Sequence, residues 1–255
     1  MIAKTQEEID ILREGGKRLA AYLRELREMT KPGVSARELE DRALVLIESG
    51  GDEPAFKGYK TGKREEPYPS ALCVSVNDVM VHSPASHNGA IFEEGDVVCL
   101  DFGIKHRGLY TDHASTLIVG KAKSREDEML VRVTFEALQA GIVQARVGNT
   151  TGDIGHAVQK FAEKYNLGYP KNLSGHGVGK AVHEEPHVPN FGDPGMGVKL
   201  QEGLVIAIEP MFALGSGDLY VDKDGHSYKT KDKSRTAHAE HTIIVMKNGP
   251  EIITK

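Results

Sequence analysis

One order of pattern signals occurs twice along the chain, and this repetition constrains the fold more than any single motif. Thr5 with Glu8 forms a capping box ahead of a helical stripe of Ile9, Leu12, Gly16, Leu19, Leu23 and Leu26, which Pro32-Gly33 ends. Ser35 with Glu38 opens a second helix with Leu39, Ala43 and Leu46 inward and Gly50-Gly51 as its stop. Ser124 with Asp127 opens a third over Leu130, Thr134, Ala137 and Leu138. Thr151 starts a fourth over Ile154, Val158, Phe161 and Tyr165, ending near Gly168.

The segments after the two helix pairs also match. Glu94-Gly95-Asp96 leads into Val97-Val98-Cys99-Leu100 and then Asp101; Glu202-Gly203-Leu204 leads into Val205-Ile206-Ala207-Ile208 and then Glu209. Asp112-His113 and Glu240-His241 each precede a β-rich run. Val81-His82 comes before Pro84 as Val182-His183 comes before Pro186. The simplest account is an α+β half, duplicated over about 1–120 and 121–255 and packed with pseudo-two-fold symmetry. No Pro/Ser-rich linker separates the halves, so residues 1–255 are expected to form one domain.

Asp101 and Glu209 end runs apolar enough to become buried strands. A buried acid must be paired, protonated or metal-bound, because an isolated buried charge is very costly. For either acid alone, a strand emerging into a solvated loop explains it. Two-fold packing changes the weighting, because it brings Asp101, Asp112, Glu209 and Glu240 together at the axis. Four carboxylates in one pocket repel strongly, and two divalent ions neutralise the set. With eleven histidines and only two cysteines, a metal site here must use oxygen and imidazole ligands.

His176, set in Ser174-Gly175-His176-Gly177-Val178-Gly179-Lys180, is the best histidine ligand. The glycines allow close backbone approach, and the segment lacks the Gly-Lys-Ser/Thr ending of a phosphate loop. His183 and His187 do not make a His-Glu-x-x-His zinc site, because Pro186 would disrupt the helix that motif needs.

The net charge of −5 argues against a general nucleic-acid binder. Cys73 and Cys99 form neither a disulfide framework nor a zinc ribbon. The first residues carry no apolar signal core, and no apolar run approaches the ~20 residues needed to span a bilayer. A protein of a reducing cytoplasm, without membrane contact, is expected.

Five stretches in order resemble the type I methionine aminopeptidases: Val76-Asn77-Asp78 through His82, Leu100-Asp101 to Thr111-Asp112, Gly175-His176-Gly177-Val178-Gly179 to His183-Glu184-Glu185-Pro186, Ile208-Glu209-Pro210-Met211, and Ala239-Glu240-His241-Thr242. The resemblance covers nearly the whole chain. It implies the pita-bread fold, a central antiparallel sheet with helices on its outer face, and removal of the initiator methionine from nascent proteins and peptides, with a small second residue preferred. It implies two divalent ions (Co, Mn, Fe(II) or Zn). Asp101 would chelate the first ion, Asp112 and Glu240 would bridge both, and His176 and Glu209 would complete the second. Glu209 would also move the water's proton, His183 would stabilise the oxyanion, and His82 would hold the scissile amide. The substrate's α-amine would bind a metal. Phe56, Tyr59, Tyr68, Cys73 and Val182 would line the methionine pocket. A monomer with a transient ribosome contact is implied as well.

The chain departs from that family at three places. Ser83-Pro84-Ala85 stands where Gly-Ile-Pro is common, with a long loop Ser86-His87-Asn88-Gly89-Ala90 after it. Thr61-Gly62-Lys63-Arg64-Glu65-Glu66 reads as a polar insertion beside the pocket. No tryptophan covers the pocket; His226 and Tyr228 are the candidates to replace it. A peptidase cutting before proline, on the same fold, is disfavoured because such relatives carry a long amino-terminal domain. A non-catalytic relative is disfavoured because all five ligand positions are kept.

Overall fold

The computed structural model describes residues 1–60, 66–87 and 89–255. The first half runs α1 (Gln6–Met29), α2 (Ala36–Gly50), β1 (Glu53–Pro54), β2 (Leu72–Val76), β3 (Val79–Val81), β4 (Val97–His106) and β5 (Leu109–Ile118). The second runs α3 (Arg125–Gln144), α4 (Thr151–Tyr165), β6 (Ser174–Gly177), β7 (Glu184–Pro189), β8 (Val205–Ile208), β9 (Met211–Ala213), β10 (Leu219–Val221), β11 (Tyr228–Thr230), β12 (Thr236–His238), β13 (His241–Met246) and β14 (Gly249–Ile252).

Capping residues set the helix starts. Thr5 and Ser35 each make reciprocal capping boxes with Glu8 and Glu38. Thr150 does the same with Asp153, so Thr151 is the first helical residue. α1 stops at Met29 with Thr30 as its cap, before Pro32-Gly33. α4 stops at Tyr165, where Asn166 takes a left-handed conformation, two residues before Gly168. In α1 the buried stripe includes Ile11 and Gly15, while Ile9 is only partly buried.

The two halves repeat one strand pattern. β4 pairs antiparallel with β2 on one side and β5 on the other. β8 pairs antiparallel with β6 and β13 in the same way. Leu19, Leu23, Leu39, Ala43 and Ile47 of α1 and α2 pack on Leu72, Val74, Leu100 and Phe102. In the second half Leu138, Ile142 and Ile154 of α3 and α4 pack on Ile206, Ile208 and Ile243. The helices therefore cover one face of each sheet, as an apolar stripe requires.

The expected central antiparallel sheet is built in pieces. Besides the sheets of β1, β2, β4, β5 and of β6, β7, β8, β13, β14, two small ones form from β3, β10, β11 and from β9, β12. The halves meet where β5 runs antiparallel to residues 238–242. Asp112 bonds Thr242, Glu240 N–H donates to Ala114 C=O at 2.9 Å, Ser115 bridges Ala239, and Thr116 bonds His238. This seam sets the first acid-histidine segment beside the second.

Among the departures, Pro84 bridges Cys73 and Ala85 N–H donates to Leu72 C=O at 3.2 Å, so this stretch runs along β2 beside the cavity. Asn88 and residues 61–65 of the polar insertion lie outside the described residues; Glu66 borders the cavity.

Candidate metal centre and active-site cavity

Strand register brings the acids together. In the ladder of β4 and β5, Asp112 stands opposite Gly103, and Asp101 is two residues along on the same face. In the second half, His241 pairs with Ile208, so Glu240 and Glu209 continue that ladder side by side. His176 stands opposite Ala207, two residues before Glu209. Its Nε2 reaches 3.4 Å from Glu209 Oε1. Asn190 holds the Glu209 carbonyl through Nδ2 at 2.9 Å. The seam then closes the set: ligand-type atoms of Asp112, His176 and Glu240 all lie within 4.8 Å of one another.

All five side chains are buried. Burial first, and then the charges of its neighbours, pushes the Asp101 and Glu240 carboxyls well above the ordinary carboxylate range. Burial and the nearby Glu209 push Asp112 up to about 8, and burial pushes Glu209 up to about 8. Burial lowers His176 to about 3, so it is neutral, with a lone pair available. Among the described residues, no Lys or Arg pairs with any of these carboxylates. Asp101 Oδ1 and Glu240 Oε1 are buried without a hydrogen-bond partner. Unpaired buried oxygens facing an imidazole lone pair, with no cationic side chain to neutralise them, fit divalent metal ions.

A cavity of about 540 Å³ opens onto this cluster. Phe56, Tyr59, Tyr68 and Cys73 form its apolar wall; Val182 is buried in the same cluster, packed behind them. Tyr68 packs edge-on against Phe56 at 6.5 Å and donates its hydroxyl to Cys73 Sγ at 2.9 Å. His82, His183 and Glu209 face the same cavity. The His183 Nδ1 is 2.8 Å from the Tyr59 hydroxyl, and its ring meets His176 edge-on at 4.4 Å. Desolvation within the cleft lowers the His183 pKa to about 4 although the ring is open to the cavity on one side. His82 holds a left-handed backbone (φ 62) at the end of β3 and packs edge-on against Tyr228. Of the two candidates to cover the pocket, His226 borders the cavity, edge-on to Tyr68 at 5.4 Å, while Tyr228 supports His82.

The glycines around His176 permit the close backbone approach expected of them. β6 is squeezed between β7 and β8, and a Cβ at Gly175 or Gly177 would overlap the carbonyls of Ala207 or Glu185. Ser174 and Met211, at the ends of two stretches quoted above, and Leu173, which no motif includes, also line the cavity. His238, deeply buried beside Glu209 and Glu240, is a further residue that motif reading misses.

The metallopeptidase family M24 model matches residues 10–247. A methionine aminopeptidase of Aquifex aeolicus is 43% identical over 253 residues, covering 98% of this chain and 97% of the relative. The crystal structure of a methionine aminopeptidase from Thermotoga maritima superposes with a TM-score of 0.93 at 41% identity, over all of both chains. A prolidase of Pyrococcus horikoshii, at 24% identity and a TM-score of 0.77 over 63% of its length, shares the fold alone. These likenesses establish the pita-bread fold that the resemblance implies. The chain belongs to metallopeptidase family M24 and, within it, to the methionine aminopeptidases.

Proposed function

We propose that the chain removes the first methionine from peptides and newly made proteins, using two divalent ions held by Asp101, Asp112, His176, Glu209 and Glu240. The observation that carries this reading is the set of four buried carboxylates, drawn from both halves, that meet a neutral imidazole with no Lys or Arg among the described residues to neutralise them. Mn(II), Fe(II), Co(II) and Zn(II) all suit such a donor set, and supply in the cell chooses between them. Bound there, divalent ions supply Lewis-acid polarisation of a carbonyl and a nucleophile at neutral pH.

The chain's own residues do the rest. Phe56, Tyr59, Tyr68 and Cys73, backed by Val182 and covered by His226, accept an unbranched thioether side chain. His183 Nδ1 lies 2.8 Å from the Tyr59 hydroxyl; in the tautomer this role needs, that hydroxyl donates to Nδ1 and the imidazole proton sits on Nε2. That Nε2–H donates to the carbonyl oxygen as negative charge develops there. His82, held by Tyr228, orients the scissile amide. Glu209 takes a proton from the attacking water on its carboxylate and returns it to the leaving amine.

The substrates are peptides and nascent chains with a small second residue. The enzyme acts as a monomer in a reducing cytoplasm, with a transient ribosome contact; its two unpaired, buried cysteines support that compartment. No helix among the described residues is long and apolar enough to cross a membrane.

The test is cleavage of a panel of Met-Ala, Met-Gly, bulky Met-Xaa and Xaa-Pro peptides after chelation and reloading with each ion. Cleavage of the small Met-Xaa peptides, lost with a chelator and absent in Asp101→Asn, is the expected result. Cleavage confined to Xaa-Pro peptides with every ion would replace the reading with a proline-directed one.

A further inference from the structure

His238 is a buried polar group that this mechanism leaves unused. It is 1% exposed, and neither ring nitrogen makes a hydrogen bond. Its Nε2 lies 3.4 Å from Glu209 Oε2 and 4.0 Å from Glu240 Oε2. At 3.4 Å the imidazole is just beyond ordinary hydrogen-bond length, so a small change in side-chain torsion suffices to form an N–H···O bond.

The backbone at His238 is fixed from both sides. Its N–H donates to Thr116 Oγ1 at 2.9 Å, and that hydroxyl donates to the His238 carbonyl at 2.7 Å. The Cys99 thiol donates to the same carbonyl at 3.7 Å, and β12 pairs His238 with Met211 of β9. The ring therefore stays beside the carboxylates while the carboxylates adjust to it.

Glu209 is bracketed by two imidazoles. His176 Nε2 faces Oε1 and His238 Nε2 faces Oε2. A carboxylate that binds an ion through one oxygen keeps a second oxygen that needs a donor to fix its orientation. With His176 assigned to the metal and Asn190 held by the Glu209 backbone carbonyl, His238 Nε2 is the ring nitrogen set beside the second carboxylate oxygen. Glu240 Oε2 lies farther from the same nitrogen, at 4.0 Å, beyond hydrogen-bond length.

We propose that His238 is a positioning residue of the metal centre, donating from Nε2 to the Glu209 carboxylate. The inference rests on the reading of Glu209 and Glu240 as metal ligands. His238 acts through Glu209 and touches neither substrate nor scissile bond.

The test compares the wild-type protein with His238→Leu, which removes the donor, and His238→Gln, which keeps one. Calorimetric titration of the metal-free proteins with Mn(II) is read beside the pH profile of kcat/KM on a Met-Ala peptide. The Leu variant is expected to lose about 10–100-fold in affinity for at least one Mn(II) and to shift the acid limb of the profile. The Gln variant should recover most of both. Wild-type Mn(II) affinity and an unmoved acid limb in the Leu variant would overturn the proposal. So would a folded Gln variant that loses as much affinity as the Leu variant. Should the Leu variant not fold, His238→Met supplies the donor-free comparison. A wild-type protein that binds none of Mn(II), Fe(II), Co(II) and Zn(II) would instead overturn the proposed function itself.

Discussion

The Thr242 hydroxyl accepts the Asp112 N–H at 2.9 Å and donates to the Asp112 carbonyl at 2.7 Å, across 130 positions of sequence. Thr242 is fully buried. One hydroxyl thus satisfies both backbone groups of a proposed metal ligand and ties the halves together at their seam. Thr242→Val keeps the shape and removes the hydroxyl, leaving a buried donor and acceptor unpaired. The expected loss is about 2–4 kcal/mol of unfolding free energy, measured by denaturant titration, with weaker metal binding. Thr242→Ser should lose much less.

Metal-free protein should become less stable as pH rises. Asp112 and Glu209 carry folded-state pKa values of about 8, against roughly 4 in an unfolded chain. Between those limits the folded state binds more protons than the unfolded state, so stability is highest near the lower limit and falls toward the upper. A drop in Tm of at least about 3 °C between pH 5 and pH 8 is expected without metal. Metal reverses the trend, because binding displaces those protons and tightens as pH rises. A metal-free melting curve indifferent to pH would contradict the buried acid cluster.

Asp101→Asn removes one charge from the cluster while nearly preserving shape. Metal affinity should fall by more than the roughly 10–100-fold typical of an outer partner, and cleavage of Met-Ala should fall with it. The metal-free variant should be at least as stable as the metal-free parent at pH 8, because an amide, unlike the raised Asp101 carboxyl, has no proton that unfolding releases. Calorimetry and thermal melting read these two effects separately.

Glu40 does a structural task with a catalytic-looking group. It is 2% exposed and accepts the Ala71 N–H at 2.8 Å and the Leu72 N–H at 2.9 Å, anchoring the start of β2 to α2. Glu40→Ala strands two buried donors and should cost about 2–5 kcal/mol. The measurement is chemical denaturation; Mn(II) affinity of the folded fraction should be little changed.

Gly16→Ala sets helix propensity against packing. Alanine in mid-helix gains up to about 1 kcal/mol over glycine, but a Cβ at Gly16 would overlap the Ile253 carbonyl. That neighbour is backbone and cannot swing away, so overpacking at roughly 1–3 kcal/mol wins. Net destabilisation in thermal melts is expected; net stabilisation would mean the carboxyl-terminal segment moves freely.

The amino-acid sequence alone determined the four helices, the apolar runs leading to Asp101 and Glu209, and the unusual acids, although Asp101 and Asp112 lie within β4 and β5 rather than at a strand's end. Thr5, Ser35, Ser124 and Thr150-Thr151 mark helix starts through local side-chain bonds, and alternating or stripe-like apolar residues mark what is buried. These signals act within a few residues, so they survive without tertiary context. The repeated order of Asp101, Asp112, Glu209 and Glu240 was legible for the same reason, and duplication implied their meeting.

Only the tertiary structure decided which neighbours those acids have. The close backbone approach at Gly175 and Gly177 was legible, but that β8 and β7 are the strands approached was not. His226 reaches the cavity and Tyr228 does not replace it, although they are two positions apart. His238 and Thr242 matter because β5 lies against residues 238–242. Such contacts depend on the register of strands more than a hundred residues apart, and a register is set by the packing of the whole sheet, which no local pattern encodes.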